Sequence, residues 1–148
     1  MRVILLILIG LSSFSFAEFS KQNGVVTDSR TKLEWQDDYS DNGGEIKNAM
    51  WEDAIDYCEA LSLDGGGWRL PNIKELISIV DDGKSFPAIN NTFELIDSTV
   101  YWSSTSYSHA SNYMAWYVNF KRGSVNYATK NSNPPISKPP VRCVRGGV

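Results

Sequence analysis

The fold is decided by the stretch Trp68-Arg69-Leu70-Pro71-Asn72-Ile73-Lys74-Glu75-Leu76. Pro71 has no N–H to donate and biases the residue before it toward an extended conformation. Asn72 can then cap a helix, and Glu75, three residues later, can reach back to complete a capping box. Apolar residues follow at helical spacing on one face: Ile73, Leu76, Ile77 and Val80. The stretch therefore predicts an extended segment leading into a helix that buries one face and stops at Asp81-Asp82-Gly83.

The first seventeen residues have the composition of a secretory signal peptide. Arg2 supplies a short positive region, residues 3–16 form an apolar core, and Ser15-Phe16-Ala17 carries small residues at the two positions that determine cleavage. A membrane span needs about 20 apolar residues, so an uncleaved anchor is the less favoured alternative. We expect a signal peptide over residues 1–17 and no stable membrane span. The mature chain, residues 18–148, should be exported to a bacterial periplasm, cell surface or exterior.

The mature chain is long enough for one domain with a hydrophobic core, and its charge is divided unevenly. Residues 18–97 hold seven Lys/Arg and all 17 Asp/Glu, whereas residues 98–148 hold six Lys/Arg and no acidic residue. Such asymmetry can mark a surface for a polyanion. The alternative, which we favour, is that the two halves neutralise each other within one domain.

Two cysteines, Cys58 and Cys143, enclose most of the mature chain. In an oxidising compartment an even pair favours a disulfide, and closing so long a loop is worth about 4 to 5 kcal/mol on the chain-entropy model. A metal site would need more ligands than the single histidine, His109, provides. We therefore predict a structural disulfide, no metal and no cofactor.

The remaining pattern predicts a first helix and several short strands. The helix runs from Ala49 to Leu61, with an apolar face made of Trp51, Ala54, Ile55, Cys58 and Leu61. Strands are predicted over residues 24–27, 33–36, 101–104, 113–120, 124–128 and 141–144, of which 113–120 alternates most clearly and forms a hairpin with 124–128. Irregular segments are predicted over 37–44 (DDYSDNGG), 84–99 and the proline-rich 131–140. Cation binding by the DDYSDNGG loop is a less favoured alternative to a plain surface loop.

A series of short motifs, each weak alone, occurs in a specific order. They are LEWQ at 33–36, Trp51 to Cys58, WRLP at 68–71 with KEL at 74–76, PAIN at 87–90, YWSS at 101–104, AWYVNF at 115–120 and VRCVRG at 141–146. In this combination the chain resembles the Lcl C-terminal domain family, named for a bacterial collagen-like adhesin, over about residues 24–147. The resemblance implies an α+β structure with the C-type-lectin-like fold: two helices, short antiparallel strands, long irregular loops and one disulfide.

The resemblance also implies a binding function. The adhesin that gives the family its name is associated with sulfated glycosaminoglycans and with trimeric assembly, so an adhesin-like module and a homo-oligomer are implied here. The chain departs from that adhesin because it has no Gly-x-y collagen repeat. It also lacks the Glu-Pro-Asn, Gln-Pro-Asp and Trp-Asn-Asp signatures of calcium-dependent sugar-binding lectins.

No pattern in the sequence indicates catalysis, and we do not expect an enzyme. Ser103 and Ser104 lack the Gly-x-Ser-x-Gly elbow, and His109 lies in a polar loop typical of a solvated imidazole. Arg69 is expected to have a structural role, donating hydrogen bonds to backbone groups or to a carboxylate. The five tryptophans are predicted to pack in the core, whereas four tyrosines are candidates for a sugar-stacking or protein-contacting surface: Tyr107, Tyr113, Tyr117 and Tyr127.

Two hypotheses from different classes remain. The first is an adhesin-like module that binds sulfated or uronic polysaccharide through six cations: Lys121, Arg122, Lys130, Lys138, Arg142 and Arg145. Guanidinium forks suit such oxyanions, and binding should weaken with salt. The second is a structural or protein-interaction domain of the bacterial envelope, whose exposed aromatics and loops contact a partner protein. Nucleic acid is not an expected ligand for an exported, net-acidic chain.

Overall fold

Two antiparallel sheets and two helices make up the structure, a computed structural model that describes residues 18–97, 99–109, 113–131 and 138–147. The strands are β1 (Phe19–Gln22), β2 (Val25–Asp28), β3 (Leu33–Gln36), β4 (Val100–Ser106), β5 (Met114–Asn119), β6 (Ser124–Thr129) and β7 (Val144–Gly146). The helices are α1 (Trp51–Ala60) and α2 (Ile73–Ser78), and short 3-10 helices cover Ser40–Asn42 and Leu63–Gly65. These elements confirm the predicted α+β class with two helices and short antiparallel strands.

The strands divide into a terminal sheet and a hairpin sheet. The terminal sheet has the order β1-β2-β3-β7, so the last strand of the chain pairs with one of the first. The hairpin sheet has the order β4-β5-β6, which leaves β6 at its edge. β1 was not predicted, because its four residues include one apolar side chain and its exposure alternates only between half-buried and exposed.

The stretch around Pro71 forms the predicted capped helix start. The Asn72 side chain accepts a hydrogen bond from the N–H of Glu75 at 2.9 Å, and the Glu75 carboxylate accepts one from the N–H of Asn72 at 2.8 Å. Arg69 donates to both oxygens of the same carboxylate at 2.8 and 2.7 Å. The backbone of Arg69 also exchanges two 2.9 Å hydrogen bonds with Val144 of β7. Arg69 is therefore a structural residue that ties the helix start to the terminal sheet.

α2 is shorter than the apolar spacing predicts. It ends at Ser78, and Val80 instead forms an isolated antiparallel bridge with Ile89. Within the helix Leu76 is buried, but Ile77 is 42% exposed. The helix ends before Val80, which pairs with Ile89 instead. The exposure of Ile77 shows that the prediction of a buried stripe containing this residue is wrong.

The predicted disulfide is present between Cys58 on α1 and Cys143, the residue before β7. Both cysteines are fully buried in a first core cluster that also contains Ala54, Trp68 and Trp102. A second core cluster lies between α2 and the two sheets and includes Trp35, Leu76, Tyr101, Val118, Phe120 and Val144. The disulfide therefore links the first helix to the terminal sheet inside the core.

Other sequence predictions are shifted or lie outside the described residues. The last strand begins at Val144 rather than Val141, because Pro140 and Val141 pair instead with the segment before α1. The predicted signal peptide and residues 132–137 of the proline-rich loop lie outside the described residues. In the part of the chain that the structure describes, neither helix has the length and hydrophobicity needed to cross a bilayer.

The two sheets differ in how well they are covered. Three of the four residues in each of β2 and β3 are buried. In β6, by contrast, only Ala128 is even half-buried. The reason is that α1 packs mainly on β4 and α2 mainly on β4 and β5, so the edge strand projects beyond both helices. The β5–β6 hairpin is thus an open part of the fold.

Candidate binding surface

The six cations proposed from sequence do not form one surface. Arg145 lies in β7 of the terminal sheet, and Arg142 lies two residues before that strand. Lys121 and Arg122 lie at the turn of the β5–β6 hairpin, and Lys130 follows its last residue. Lys138 lies beside α1. Each group has different neighbours, so the groups are described separately.

Arg142 is fully buried, which contradicts its place on a predicted ligand-binding surface. Its Nη1 donates to the Gln36 carbonyl at 2.6 Å and to the Asp37 carboxylate at 2.9 Å, and its Nη2 donates to the Leu95 carbonyl. The ring of Phe93 lies 4.8 Å from the guanidinium carbon. These contacts hold together three segments that are distant in sequence, so Arg142 has a structural role.

The electrostatic surroundings keep Arg142 charged. Burial acts to lower its pKa, but the nearby phenols of Tyr39 and Tyr101 and the carboxylate of Asp37 outweigh burial and raise the pKa. Asp37 also accepts a 2.7 Å hydrogen bond from Lys21. The guanidinium is therefore one half of a buried ion pair whose carboxylate has a second cationic partner.

Arg145 is also committed to contacts within the protein. Its Nε donates to Glu34 at 2.5 Å, and its two Nη atoms donate to the Asp64 side chain at 2.8 Å and to the Asp64 carbonyl at 2.6 Å. Its guanidinium lies 4.6 Å from the ring centroid of Trp68. Burial lowers the pKa of Arg145, and its bonds to Glu34 and Asp64 more than reverse that effect. Arg145 therefore fastens the loop after α1 to β3.

These two arginines account for part of the charge asymmetry in the sequence. Arg142 and Arg145 come from the acid-free half of the chain, and their partners Asp37, Glu34 and Asp64 come from the acidic half. For this pair, mutual neutralisation within one domain is the correct interpretation. The other four cations of that half form no ion pair with the described residues.

Lys121 and Arg122 are exposed at the hairpin turn. Their charged groups lie 5.2 and 6.0 Å from the ring centroid of Phe86, which is itself 55% exposed. The N–H of Phe86 donates to the Lys121 carbonyl at 2.9 Å. Gly123 closes the turn with φ +72°, and a Cβ there would lie 2.7 Å from the Val80 side chain. A larger residue than glycine would therefore be strained at this turn.

An exposed aromatic cluster lies on the same hairpin. Tyr107 and Tyr127 stack with their ring centroids 4.0 Å apart and an interplanar angle of 7°. Trp116 meets both rings edge-on, at 5.2 and 5.5 Å. Trp116 is only half-buried and lies outside both core clusters, so the prediction that all five tryptophans pack in the core is wrong for this residue.

The strand register shows which side of the sheet this cluster occupies. Trp116 pairs with Tyr127, and Val118 pairs with Val125. Side chains two residues apart lie on the same face of a strand, so all four share one side. Val118 is covered as part of the second core cluster, whereas Val125 and Tyr127 are each 40% exposed. The core therefore covers β5 at Val118 and leaves the edge strand β6 open on this side.

We call the open part of the β5–β6 hairpin the hairpin face; it comprises the side that carries Tyr107, Trp116, Val125 and Tyr127 and, at the turn, Lys121 and Arg122. Two of the proposed cations and two of the proposed tyrosines belong to it. Sequence alternation correctly placed Trp116 and Val118 on one side, but it could not show that the core covers Val118 and leaves Trp116 half-buried. Trp116 and Val125 are therefore the residues that sequence reasoning missed.

Lys130 lies on the opposite side of the hairpin. Its Nζ is 3.7 Å from the ring centroid of Trp51 and donates to the Ser106 hydroxyl at 2.7 Å. Ser106 pairs with Ala115, and both Ala115 and Trp51 pack with the first core cluster. Lys130 is half-buried and already bound by these groups, so it is not continuous with Lys121 and Arg122.

Lys138 lines a separate cleft of about 440 Å³ beside α1. The other lining residues are Lys47, Asn48, Ala49, Asp53, Asp56 and Tyr57. The two lysines are thus accompanied by two carboxylates. This mixed charge does not extend the cationic surface of the hairpin.

Metal binding has no support in the described ranges, where no group of three or more His, Cys, Asp or Glu side chains is placed to hold an ion. In the DDYSDNGG loop, Asp38 accepts a 2.7 Å hydrogen bond from the N–H of Ser40, which lowers the pKa of Asp38. Asp41 accepts a 3.3 Å hydrogen bond from Tyr57. These carboxylates bond within the protein.

A family model for the Lcl C-terminal domain matches residues 24–145. The chain belongs to the Lcl C-terminal domain family. The match spans both cysteines of the disulfide, the terminal sheet from β2 onward and the complete hairpin face. No curated protein matches the chain. Family membership identifies an adhesin-associated module, and the structure adds where its unpaired cations and exposed aromatics lie.

Proposed function

We propose that this chain is an exported, non-catalytic binding module that recognises an anionic, sulfated polysaccharide through the hairpin face. The observation that carries the proposal is the position of Lys121 and Arg122. They are exposed side by side at the hairpin turn, in a stretch of sequence, residues 98–148, that has no acidic residue. Among the described residues neither forms an ion pair, so both charges are available to an external anion.

The fold and the cellular location are part of the same proposal. We infer a C-type-lectin-like fold from the disulfide between the first helix and the segment before the last strand, and from the pairing of that strand with β3. A buried disulfide suits an oxidising compartment. Export by the predicted signal peptide over residues 1–17 would deliver the chain to such a compartment.

A glycan array probed with the mature chain, residues 18–148, at low and high salt tests the function. We expect selective binding to sulfated glycans that falls as salt rises, because exposed charge contacts are screened. The double variant Lys121→Glu/Arg122→Glu should lose this binding. The matched control is Arg30→Glu/Lys32→Glu, which makes the same charge change at exposed residues of the β2–β3 turn.

Two results would contradict the proposal. One is the absence of any glycan signal from folded, oxidised protein. The other is equal loss in the hairpin variant and in the control, because it would show that total charge rather than the hairpin face controls binding.

The second candidate is a structural or protein-interaction domain of the bacterial envelope, and the open edge of β6 favours it. β6 pairs only with β5 in the described chain, and five of its six residues are exposed. Exposed strand edges are templates for pairing with another chain. Self-association that is insensitive to salt, measured by sedimentation of the mature chain, would favour this candidate over polysaccharide binding.

A further inference from the structure

We infer that Phe86 is a positioning residue of the proposed anion site, because its ring holds the charged groups of Lys121 and Arg122 in place for an external anion. This inference rests on the proposed function. It extends the site from the hairpin to a second segment of the chain, residues 84–88, and it assigns a role to a residue that the sequence did not single out. The backbone of Phe86, the position of its ring and the chemistry of the two cations support it.

Phe86 has an unusual backbone conformation for a bulky residue. Its φ angle is +55°, in the left-handed region that aromatic residues rarely adopt. The ring is 55% exposed, so burial of the ring does not offset the strain of this conformation. Strained residues of this kind cluster at active sites and ligand-binding sites. An exposed ring on a strained backbone therefore indicates a function at the surface.

The β5–β6 hairpin holds the backbone of Phe86 in this conformation. The N–H of Phe86 donates to the Lys121 carbonyl at 2.9 Å, and the N–H of Ala88 donates to the Phe120 carbonyl at 2.7 Å. Ala88 and Phe120 are both fully buried. The ring and the two cations thus start from two backbone segments that are bonded to each other and anchored in the core.

The Phe86 ring lies beside both charges. The Lys121 ammonium is 5.2 Å from the ring centroid and the Arg122 guanidinium carbon is 6.0 Å from it, within the range of cation–π attraction. A cation that rests against a ring keeps N–H groups for an oxyanion on its other side. A side chain that is held before the ligand arrives loses less entropy on binding. The ring should therefore raise the affinity without contacting the anion itself.

The acidic residues of the neighbouring loop leave these two charges available. Asp81 pairs with Lys84 at 3.3 Å. Asp82 is exposed and forms no ion pair with Lys121 or Arg122. Both cations can therefore meet an external anion while they remain beside the ring.

Calorimetric titration of the mature chain, residues 18–148, with a sulfated octasaccharide tests the inference. Phe86→Leu keeps an apolar side chain but removes the aromatic face, and we expect an affinity about two- to fivefold lower. The slope of log affinity against log salt should not change, because the number of charge contacts stays the same. Loss of affinity through general unfolding is checked by denaturant unfolding of the same variant.

Two further variants separate the aromatic face of Phe86 from its bulk. Phe86→Trp should bind at least as tightly as the unmodified chain, because tryptophan gives the strongest cation–π attraction. Tyr113→Leu is the matched control: it also replaces an exposed aromatic residue, 72% exposed, but the cation–π contacts of Lys121 and Arg122 do not involve it. This control should leave the affinity unchanged. If Phe86→Leu fails to fold, the tryptophan variant still tests the inference.

A double-mutant cycle separates positioning from direct contact with the ligand. In a Lys121→Gln background the effect of Phe86→Leu should shrink, because only Arg122 is left for the ring to position. An undiminished effect would mean that the ring contacts the ligand directly, and it would overturn the positioning role.

The outcomes distinguish this inference from the proposed function. If the unmodified chain does not bind the octasaccharide, the proposed function fails and this inference fails with it. If it binds and Lys121→Glu/Arg122→Glu abolishes binding, but Phe86→Leu behaves like Tyr113→Leu, the function stands and the inference is overturned. An affinity lowered in Phe86→Trp as much as in Phe86→Leu would also overturn it.

Discussion

The terminal sheet and the β5–β6 hairpin use the same kind of residue in opposite ways. Arg142 and Arg145 are enclosed and bonded to carboxylates that precede them in the chain by more than 75 residues. Lys121 and Arg122 are exposed at a turn, form no ion pair with the described residues, and have their charged groups near the exposed ring of Phe86. All four belong to the acid-free half of the chain. The difference between them is made by packing and not by the local sequence.

This contrast shows that some cations of the acid-free stretch stabilise the fold, whereas others are available to bind an external anion. A buried arginine needs a carboxylate and carbonyl groups as bonding partners, because an unpaired buried charge is strongly unfavourable. A cation at an open turn has no such requirement, and its attraction for surface partners is weak in water. The first kind should therefore control stability, and the second kind should control binding.

The largest effect is expected from Arg142→Met. Removing the guanidinium leaves Asp37 buried with one cationic partner and leaves the Gln36 and Leu95 carbonyls without their donor. We expect the free energy of unfolding to fall by about 3 to 5 kcal/mol. Denaturant unfolding of the oxidised protein measures it, with Arg122→Met as the matched control that should change by less than about 0.5 kcal/mol. Similar losses in both variants would contradict the contrast.

A smaller loss is expected from Arg145→Leu. This side chain bonds Glu34 and Asp64, but both carboxylates are partly exposed and can be rehydrated. We expect a loss of about 1 to 2 kcal/mol, less than for Arg142, because solvent offsets part of the lost hydrogen bonds. A double-mutant cycle with Glu34→Gln isolates the pair. A coupling energy near zero would show that Arg145 acts through its bonds to Asp64 or its contact with Trp68 instead.

Low pH should weaken the ion pair between Arg69 and Glu75 and should leave the hairpin face unchanged. Burial acts to raise the pKa of Glu75, yet bonds from Arg69 and the Asn72 N–H outweigh it and lower the pKa below its ordinary value of 4.5. A lowered carboxyl pKa gives stability that is present above the unfolded value and lost as pH falls through the folded one.

The stability difference between the unmodified chain and Glu75→Gln should therefore be constant from pH 7 to about pH 5 and shrink below the ordinary pKa of Glu75. Denaturation midpoints across this range measure the difference. The variant Arg122→Gln serves as control and should keep the pH profile of the unmodified chain. A difference that grows on acidification would mean that the ion pair does not stabilise the helix start.

Whether a contact could be predicted depends on how far apart its residues lie in the sequence. The capping box of Asn72 and Glu75 spans four residues, and its pattern is explicit in the sequence. The disulfide could be predicted from an even pair of cysteines behind a predicted signal peptide. The burial of Arg142 could not be predicted, because its carboxylate partner lies 105 residues away and nothing local distinguishes Arg142 from Arg122.

The same limit applies to the candidate site. Alternation in β5 predicted which side chains share a side, since that is local geometry. It could not predict that the core covers Val118 but leaves Trp116 partly open, because this depends on how the short helix α2 is placed over the sheet. The sequence also could not separate Lys121, which is exposed at the hairpin turn, from Lys130, whose ammonium group lies over Trp51.

Lys130 offers the smallest effect and the sharpest test of the contrast, because it belongs to the hairpin but faces the core. Its ammonium group lies over Trp51 and bonds Ser106. Lys130→Met should cost about 0.5 to 1 kcal/mol, the size of a partly exposed cation–π contact, and should leave the affinity for sulfated glycans unchanged. Denaturant unfolding and the glycan titration are run on the same sample. Loss of affinity without loss of stability would assign Lys130 to the ligand and would show that binding extends across both sides of the hairpin.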